Sequence, residues 1–290
     1  MKFKNILLLY KRSAYKIYFQ DKKNSFKNLD RKFLKNEMAH FERSHDEHYD
    51  ALHQIQRILY TLGAPFTDCY RGNKIDYSKF DLVITVGGDG TFLEAARHIV
   101  HQPIIGVNSA PDYSVGRFCA ATVTNFEKIV RKVLDGSAQY GQLQRLQLEV
   151  KDIKLKVNVL NDVLISHQNP AMLCRYYLTL NSCKEEQRSS GVWVATAVGS
   201  TGAIHSSGGK VLDQFDKRYQ YMPRELYAGR GTQYKLKGGI CSRNQILNIV
   251  SLMRNGMLYV DGAHHKYSFP FGAHLKLSNS PNSLKTVIIQ

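Results

Sequence analysis

The run VGGDGT, Val86 to Thr91, is where this sequence is best equipped for chemistry. The apolar stretch FDLVITV leads straight into it, so a buried strand is expected to end in a glycine turn, with a helix beginning at Thr91. Gly87, Gly88 and Gly90 let a ligand approach the backbone, and N–H groups at a helix start face an anion. Such a turn cradles phosphate. It matches neither common nucleotide fingerprint: Leu93 holds the place of the third glycine of a dinucleotide turn, and no lysine follows Gly90 as in a Walker loop. Its unusual member is Asp89, a carboxylate where phosphate loops normally avoid negative charge. An acid there suits a group that binds a hydroxyl or helps hold a bridging cation; the plain alternative is a helix cap.

Two later clusters carry the same kind of chemistry. Asn161 and Asp162 interrupt a largely apolar strand expected over 157–165. Adjacent polar residues in a strand cost stability unless satisfied, which implies a bulge or a ligand contact. The segment ATAVGSTGAIHSSGG, Ala195 to Gly209, follows the strand-like GVWVATAV and places Ser200 and Thr201 to begin a short helix. It is a second glycine and hydroxyl loop, able to receive an anion or ribose hydroxyls. One early element and two late ones suggest a cleft between two domains. His40, His45 and His48 lie in an expected helix, and Asp46 and Glu47 stand beside the last two. His45 and His48 fall on what reads as a polar face with no fourth ligand, so no metal site is identifiable.

The elements that must position these residues follow from hydrophobic patterning. Lys4–Tyr10 reads as a buried strand, and a helix is expected from about Lys35 to Leu62, stopped by Gly63 and Pro65. The strand before the GGDG turn, a short helix TFLEAARHIV, a strand PIIGVNS and an amphipathic helix NFEKIVRKVLDG closed by Gly136 come next. Strands alternating with helices imply a parallel, Rossmann-like sheet with right-handed crossovers. From Tyr140 onward the pattern becomes LQRLQLEVKD, KLKVNVLNDVLI, CRYYLTLN, GVWVATAV, ILNIVSL, GMLYVDG, HLKLS and TVIIQ. Short strands separated by turns imply an antiparallel, β-rich domain. The expected organisation is therefore an α/β nucleotide-binding domain over 1–138 and a β-rich domain over 139–290, with the extreme C-terminus free to return to the first.

Composition bounds the partners. At 290 residues with 43% hydrophobic and 22% charged residues, the chain has ordinary globular composition, long enough for two domains. Disordered, collagen-like and disulfide-stapled classes are excluded. The net charge of +16 favours polyanions: nucleic acid, membrane surface or phosphorylated small molecules. Residues 1–35 hold eleven Lys/Arg against two Asp, and the densest part, Asp21 to Lys35, reads as a solvated stretch leading into the helix. Cys69, Cys119, Cys174, Cys183 and Cys241 form no CxxC pair, which suits a reducing compartment. The apolar run Ile6–Leu9 is too short for a signal-peptide core or a membrane span, so a cytoplasmic location is expected.

Taken together, LLLYKRSA, VGGDGTFLEAAR, IGVNS, CAATVTNFE, LNDVLISHQNPAM, GSTGAIHSSGG and LYVDG resemble the NAD kinase family, in its order and spacing along most of the chain. The glycine-aspartate turn alone would not suffice, since diacylglycerol-type lipid kinases and phosphofructokinases carry similar turns. The resemblance implies the two-domain NAD kinase/diacylglycerol kinase-like architecture. It also implies phosphoryl transfer from ATP, with magnesium, to the 2′-hydroxyl of the adenosine ribose of NAD⁺ or NADH. Asp89 then matches the aspartate that accepts the hydroxyl proton, and Gly87, Gly88, Gly90 and Thr91 form the phosphate turn. Asn161 matches the dinucleotide-binding asparagine, with Asp162 where most members have glutamate. Thr196, Gly199, Ser200 and Thr201 match the family's Thr-Pro-Thr-Gly-Ser-Thr-Ala-Tyr loop; Asn108 and Ser206 complete the implied nucleotide-binding set. A homodimer or homotetramer is implied, without nucleic-acid or membrane partners.

The departures are specific. Ala197 and Val198 replace Pro-Thr, Gly202 and Ala203 replace Ala-Tyr, and APDYSVGRF follows GVNS in place of a glycine-rich continuation. Ser190 stands where many members have an aspartate reaching toward the substrate. These features resemble the branch that includes plant NADH kinase, and loss of an anion near the nicotinamide implies that NADH is accepted well. Two other classes share some features: a lipid or sugar kinase with only the glycine-aspartate turn, and a non-catalytic nucleotide or nucleic-acid binder using the basic stretch. The Asn161-Asp162 pair and the Ser200-Thr201 loop oppose the first. The absence of an interleaved aromatic motif or helix-turn-helix signature opposes the second.

Overall fold

The computed structural model describes residues 3–20, 31–227, 229, 233–263 and 265–288. The chain forms two compact units, Met1–Gly141 with Lys285–Gln290, and Gln142–Leu284.

In the first unit, β1 (Ile6–Tyr10), α1 (Arg31–Thr61), β2 (Phe66–Tyr70), β3 (Leu82–Gly87), α2 (Asp89–His98), β4 (Ile104–Asn108), β5 (Ala121–Thr122), α3 (Val123–Asp135) and β6 (Tyr140–Leu143) follow in order. The sheet runs β2-β1-β3-β4, then the C-terminal strand Leu284–Val287, then β6, with β5 beside β4. β1 lies parallel to both β2 and β3, and β3 lies parallel to β4. Continuous apolar runs suit strands covered on both faces. Ile6, Leu8, Ile84, Val86 and Val107 pack with Leu52, Ile55 and Leu59 of α1 and with Phe126 and Val130 of α3. Phe92 of α2 abuts Gly106 of β4, where an added methyl would meet its ring at 2.9 Å. Gly136 ends α3 in the left-handed region, φ 87, as its sequence position predicts.

Two expectations need adjustment here, and one strand is added. α1 begins at Arg31, so residues 31–35 of the basic stretch are helical, and residues 21–30 lie outside the described residues. Sequence patterning gives no sign of the edge strand β2, FTDCY, because none of its residues is buried. Thr286 pairs in parallel with Ile104, so the strand Leu284–Val287 belongs to the first sheet and not to the antiparallel ones, the return to the first domain that its place at the extreme C-terminus allowed.

In the second unit, the strands are β7 (Leu146–Val150), β8 (Ile153–Lys154), β9 (Asp162–His167), β10 (Cys174–Leu180), β11 (Cys183–Ser189) and β12 (Val192–Thr196). A 3₁₀ turn (Val198–Thr201) and α4 (Ala203–Ser206) precede β13 (Tyr219–Pro223), β14 (Gly239–Cys241), β15 (Leu247–Ser251), β16 (Gly256–Val260), β17 (His265–Ser268) and β18 (His274–Asn279). They make two six-stranded sheets, β11-β10-β15-β18-β7-β8 and β14-β13-β12-β9-β16-β17. Leu148, Tyr176, Leu178, Ile249 and Leu275 of one sheet share a buried core with Val163, Ile165, Val194, Tyr219 and Leu258 of the other. This is an antiparallel sandwich. The strand expected over 157–165 starts only at Asp162, and residues 157–161 form a connection bridged once, Val159 to Leu146.

Candidate active site

The GGDG turn lies at the carboxyl end of β3, the side on which open parallel sheets bind ligands. The helix begins at Asp89, two residues before the expected Thr91, with Gly88 as its N-cap. Asp89 is therefore no side-chain cap. Its Oδ1 accepts the backbone N–H of Phe118 at 2.8 Å, which ties the carboxylate to the segment after the APDYS loop. An added methyl at Gly87 would collide with Thr91 Oγ1 and lie 3.5 Å from Lys11 Cδ. At Gly88 it would meet Ser114 Oγ at 2.5 Å, and at Gly90 the Arg71 guanidinium at 3.3 Å. The glycines are needed because side chains close in from four directions. Thr91 is buried, and its Oγ1 has no hydrogen-bond partner.

Asn108, at the end of β4, serves the neighbouring loop: its Nδ2 donates to Ser114 O at 2.7 Å and its Oδ1 accepts from Ala110 N–H at 3.3 Å. Ser109 follows, its N–H donating to Gly87 O at 3.1 Å. Cys119, with Sγ 4.0 Å from Gly87 O, has its thiol pushed up to about 12 by burial and then by the charge of Asp89. It stays protonated.

His48 is fully buried, which overturns the polar-face expectation. Its Nε2 lies 2.8 Å from Lys11 O and its Nδ1 2.8 Å from Ser109 Oγ. A carbonyl only accepts, so Nε2 carries the proton and Nδ1 accepts the serine hydroxyl. Burial, followed by the charge of Lys11, depresses its pKa to about 4, so the ring is neutral. His48 is a structural tie between the ends of β1 and β4.

In the second unit the Asn161-Asp162 pair and the Ala195–Gly209 loop are brought together. Thr196 N–H donates to Asn161 O at 3.1 Å, Thr196 Oγ1 donates to Leu160 O at 2.6 Å and accepts from Gly199 N–H at 3.1 Å. An added methyl at Gly199 would collide with Asn161 O. Ser200 is buried, with Oγ accepting Leu212 N–H at 2.9 Å; Thr201 is half-buried and Ser206 exposed. The polar pair is satisfied by Asp261. Its Oδ1 accepts from Asn161 N–H at 2.7 Å and Asp162 N–H at 3.1 Å, and its Oδ2 from Leu160 N–H at 3.1 Å. Three N–H bonds favour a charged Asp261. Asp162, buried beside that charge, is pushed up to about 7, by burial first, and accepts from Asn161 Nδ2 at 2.9 Å. Burial and the Asp261 charge thus favour the protonated form of Asp162.

Asp162 opens onto a cavity of about 400 Å³, whose walls include Ser166, Ser190, Trp193, Arg224 and Tyr259. Ser190 N–H donates to Arg224 O at 2.9 Å, and the Arg224 guanidinium stands 6.0 Å from the Trp193 ring centre.

Residues 8–138 match the family model described as the ATP-NAD kinase N-terminal domain. The chain is 36% identical over 230 residues to a probable NADH kinase of Oryza sativa subsp. japonica, spanning 72% of this chain and 71% of that protein. The chain belongs to the NAD kinase family. An NADH kinase of Arabidopsis thaliana is 32% identical over 231 residues, 69% of this chain and 70% of that one. In fold, the chain is similar to an NAD kinase from Archaeoglobus fulgidus solved in complex with ATP: TM-score 0.69, 18% identity, 97% of this chain and 92% of the other. It is also similar to yeast NADH kinase complexed with NADH, at TM-score 0.73 and 14% identity over 100% of this chain and 85% of that one.

Within this NAD kinase family member, Lys11, Arg71, Arg224 and Asp261 are the polar residues that motif reading left unassigned. Lys11 and Asp261 lie inside quoted motifs, LLLYKRSA and LYVDG, directly after buried strands, and that position was the available signal. Arg71 follows a strand that carries no apolar signature, so nothing marked it.

Proposed function

We propose that this chain is an NAD(H) kinase, transferring the γ-phosphoryl group of ATP to the 2′-hydroxyl of the adenosine ribose of NAD⁺ or NADH to give NADP⁺ or NADPH. The observation that carries this reading is Asp89, a carboxylate seated in a phosphate turn and held there by Phe118 N–H. A carboxylate there repels phosphate unless it serves the acceptor, and taking the hydroxyl proton is such a service. Gly87, Gly88, Gly90 and Thr91 give the donor's phosphates close access to backbone, while Asn108 shapes the adjoining loop. Asn161, Asp162, Thr196, Gly199, Ser200, Thr201 and Ser206 form the dinucleotide side. Transfer then rests on positioning and charge stabilisation. Magnesium is taken to enter with ATP, carried by the nucleotide's phosphates. When bound, it neutralises phosphate charge.

Ser190 lines the cavity where many family members carry an aspartate, which removes one attraction for the charged oxidised ring, so NADH is accepted well. A homodimer or homotetramer in the cytoplasm belongs to the same proposal. The five free cysteines suit a reducing compartment. Among the described residues no helix is long and apolar enough to cross a membrane.

Incubation with ATP, magnesium and either dinucleotide tests the reading. Phosphorylated product is expected from both, at initial rates for NADH equal to or above those for NAD⁺. Asp89→Asn should lose activity by about a hundredfold or more at an unchanged Tm. No product from either dinucleotide refutes the kinase; full activity in Asp89→Asn refutes the proton-acceptor role.

A further inference from the structure

Lys11 and Arg71 are delivered to the GGDG turn from two separate strand ends. Lys11 follows β1, and its N–H donates to Val86 O at 3.4 Å, which aligns it with the last residues of β3. Its side chain reaches Gly87, with Cδ 3.5 Å from the position a Cβ there would take. Arg71 follows β2, is tied by its N–H to Tyr10 O at 3.0 Å, and brings its guanidinium to 3.3 Å from the corresponding position on Gly90. The two cations therefore bracket the turn, one at its first glycine and one at its last. Among the described residues neither makes an ion pair. Lys11 has its pKa lowered, by burial first and then by the charge of Arg71, with Glu47 acting the other way.

Holding two like charges together over a glycine turn costs free energy in the empty protein. His48 enforces the arrangement on the lysine side by fixing Lys11 O against Ser109, the residue whose N–H binds Gly87 O. A polyanion stretched across the turn relieves the repulsion and fills both cation positions. The buried Thr91 Oγ1, unpartnered and set against Gly87, adds a hydroxyl to the same turn.

We propose that Lys11 and Arg71 form a two-point clamp for the oligophosphate of the donor nucleotide, with Lys11 over the first glycine of the turn and Arg71 over the last. This rests on the turn being the donor-phosphate site of the kinase proposed above. Arginine takes phosphate through two N–H groups at once, whereas lysine acts as a point charge, so the two ends of the clamp differ in kind. Lys11, a point charge at the first glycine, is suited to the phosphoryl group in transfer, and Arg71, at the last glycine, to the phosphates that remain on the nucleotide.

The test uses the full chain and two readouts: calorimetric binding of inorganic tripolyphosphate, and steady-state kinetics with ATP and NADH. Lys11→Met should weaken tripolyphosphate binding by about tenfold or more, raise the KM for ATP and lower kcat, with the KM for NADH within about twofold of wild type. Lys11→Arg should recover part of the binding. Arg71→Gln should weaken tripolyphosphate binding and raise the KM for ATP by about tenfold, with a smaller effect on kcat. Unchanged tripolyphosphate binding in folded Lys11→Met and Arg71→Gln overturns the clamp, even if the enzyme is an active NAD(H) kinase. Wild type that phosphorylates no dinucleotide removes the kinase reading, yet loss of tripolyphosphate binding in the variants would still support the clamp. If circular dichroism showed Lys11→Met to be unfolded, Arg71→Gln alone would decide.

Discussion

At the residue scale, the second unit separates two carboxyl groups by environment. Asp261 collects three backbone N–H groups and sits near the buried Arg145, whose own pKa is pushed down to about 10 by burial while the Asp261 charge holds it up. Asp162 receives only the Asn161 side chain and rises from 3.8 to about 7. Because its folded pKa exceeds the unfolded one, the contribution of Asp162 to stability is complete below about pH 4 and lost as pH rises through about 7. Asp162→Asn keeps the neutral shape and cannot ionise. Its stability relative to wild type should therefore climb between about pH 4 and 7, by on the order of 1–3 kcal/mol, and then level off. Parallel pH curves for the two proteins in thermal melts would show that folding leaves the Asp162 pKa unshifted. From sequence, the Asn161-Asp162 pair was visible as two polar residues needing satisfaction. The group that satisfies them was not, because Asp261 lies 100 residues away from Asn161.

At the element scale, what was legible and what was not divides along burial. β1, β3 and β4 announce themselves because a strand covered on both faces must be apolar throughout. β2 (FTDCY) and β11 (CKEEQRS) lie at sheet edges, keep polar side chains and leave no such trace. His48 shows the converse: a polar residue on a helix reads as solvent-facing until the carbonyl and hydroxyl that bury it are known. In the second unit the Ala195–Gly209 segment was legible as a glycine and hydroxyl loop and Asn161-Asp162 as a polar pair, but their contact through Thr196 and Gly199 was not. That contact can be tested. Gly199→Ala would drive a methyl into Asn161 O, so the loop must shift. The expected result is a KM for the dinucleotide raised by about tenfold or more, with the KM for ATP little changed and a loss of about 1–3 kcal/mol in stability. Wild-type KM values for both substrates would mean that this junction does not shape the dinucleotide site.

At the scale of the whole molecule, the proposed clamp would give part of the +16 charge a use in Lys11 and Arg71, both of which reach the GGDG turn. More than half of the excess, however, falls in residues 1–35, of which 21–30 lie outside the described residues. A basic protein acting on two phosphate-bearing substrates attracts both at long range, and screening weakens that attraction. Raising ionic strength from about 0.05 M to 0.3 M should therefore raise the KM for ATP several-fold while kcat changes little. A salt-independent KM would leave the basic excess to solvation alone.

The C-terminal strand has a further consequence, for the order in which the protein can fold. Residues 284–287 lie between β4 and β6 in the first sheet, so the second unit is in effect an insertion within the first. During synthesis the first unit emerges early, with the GGDG turn already made, yet its sheet has a gap until residues 284–287 leave the ribosome. Its apolar β4 edge must meanwhile stay clear of other strands, which makes the nascent chain more exposed to mispairing than the finished one.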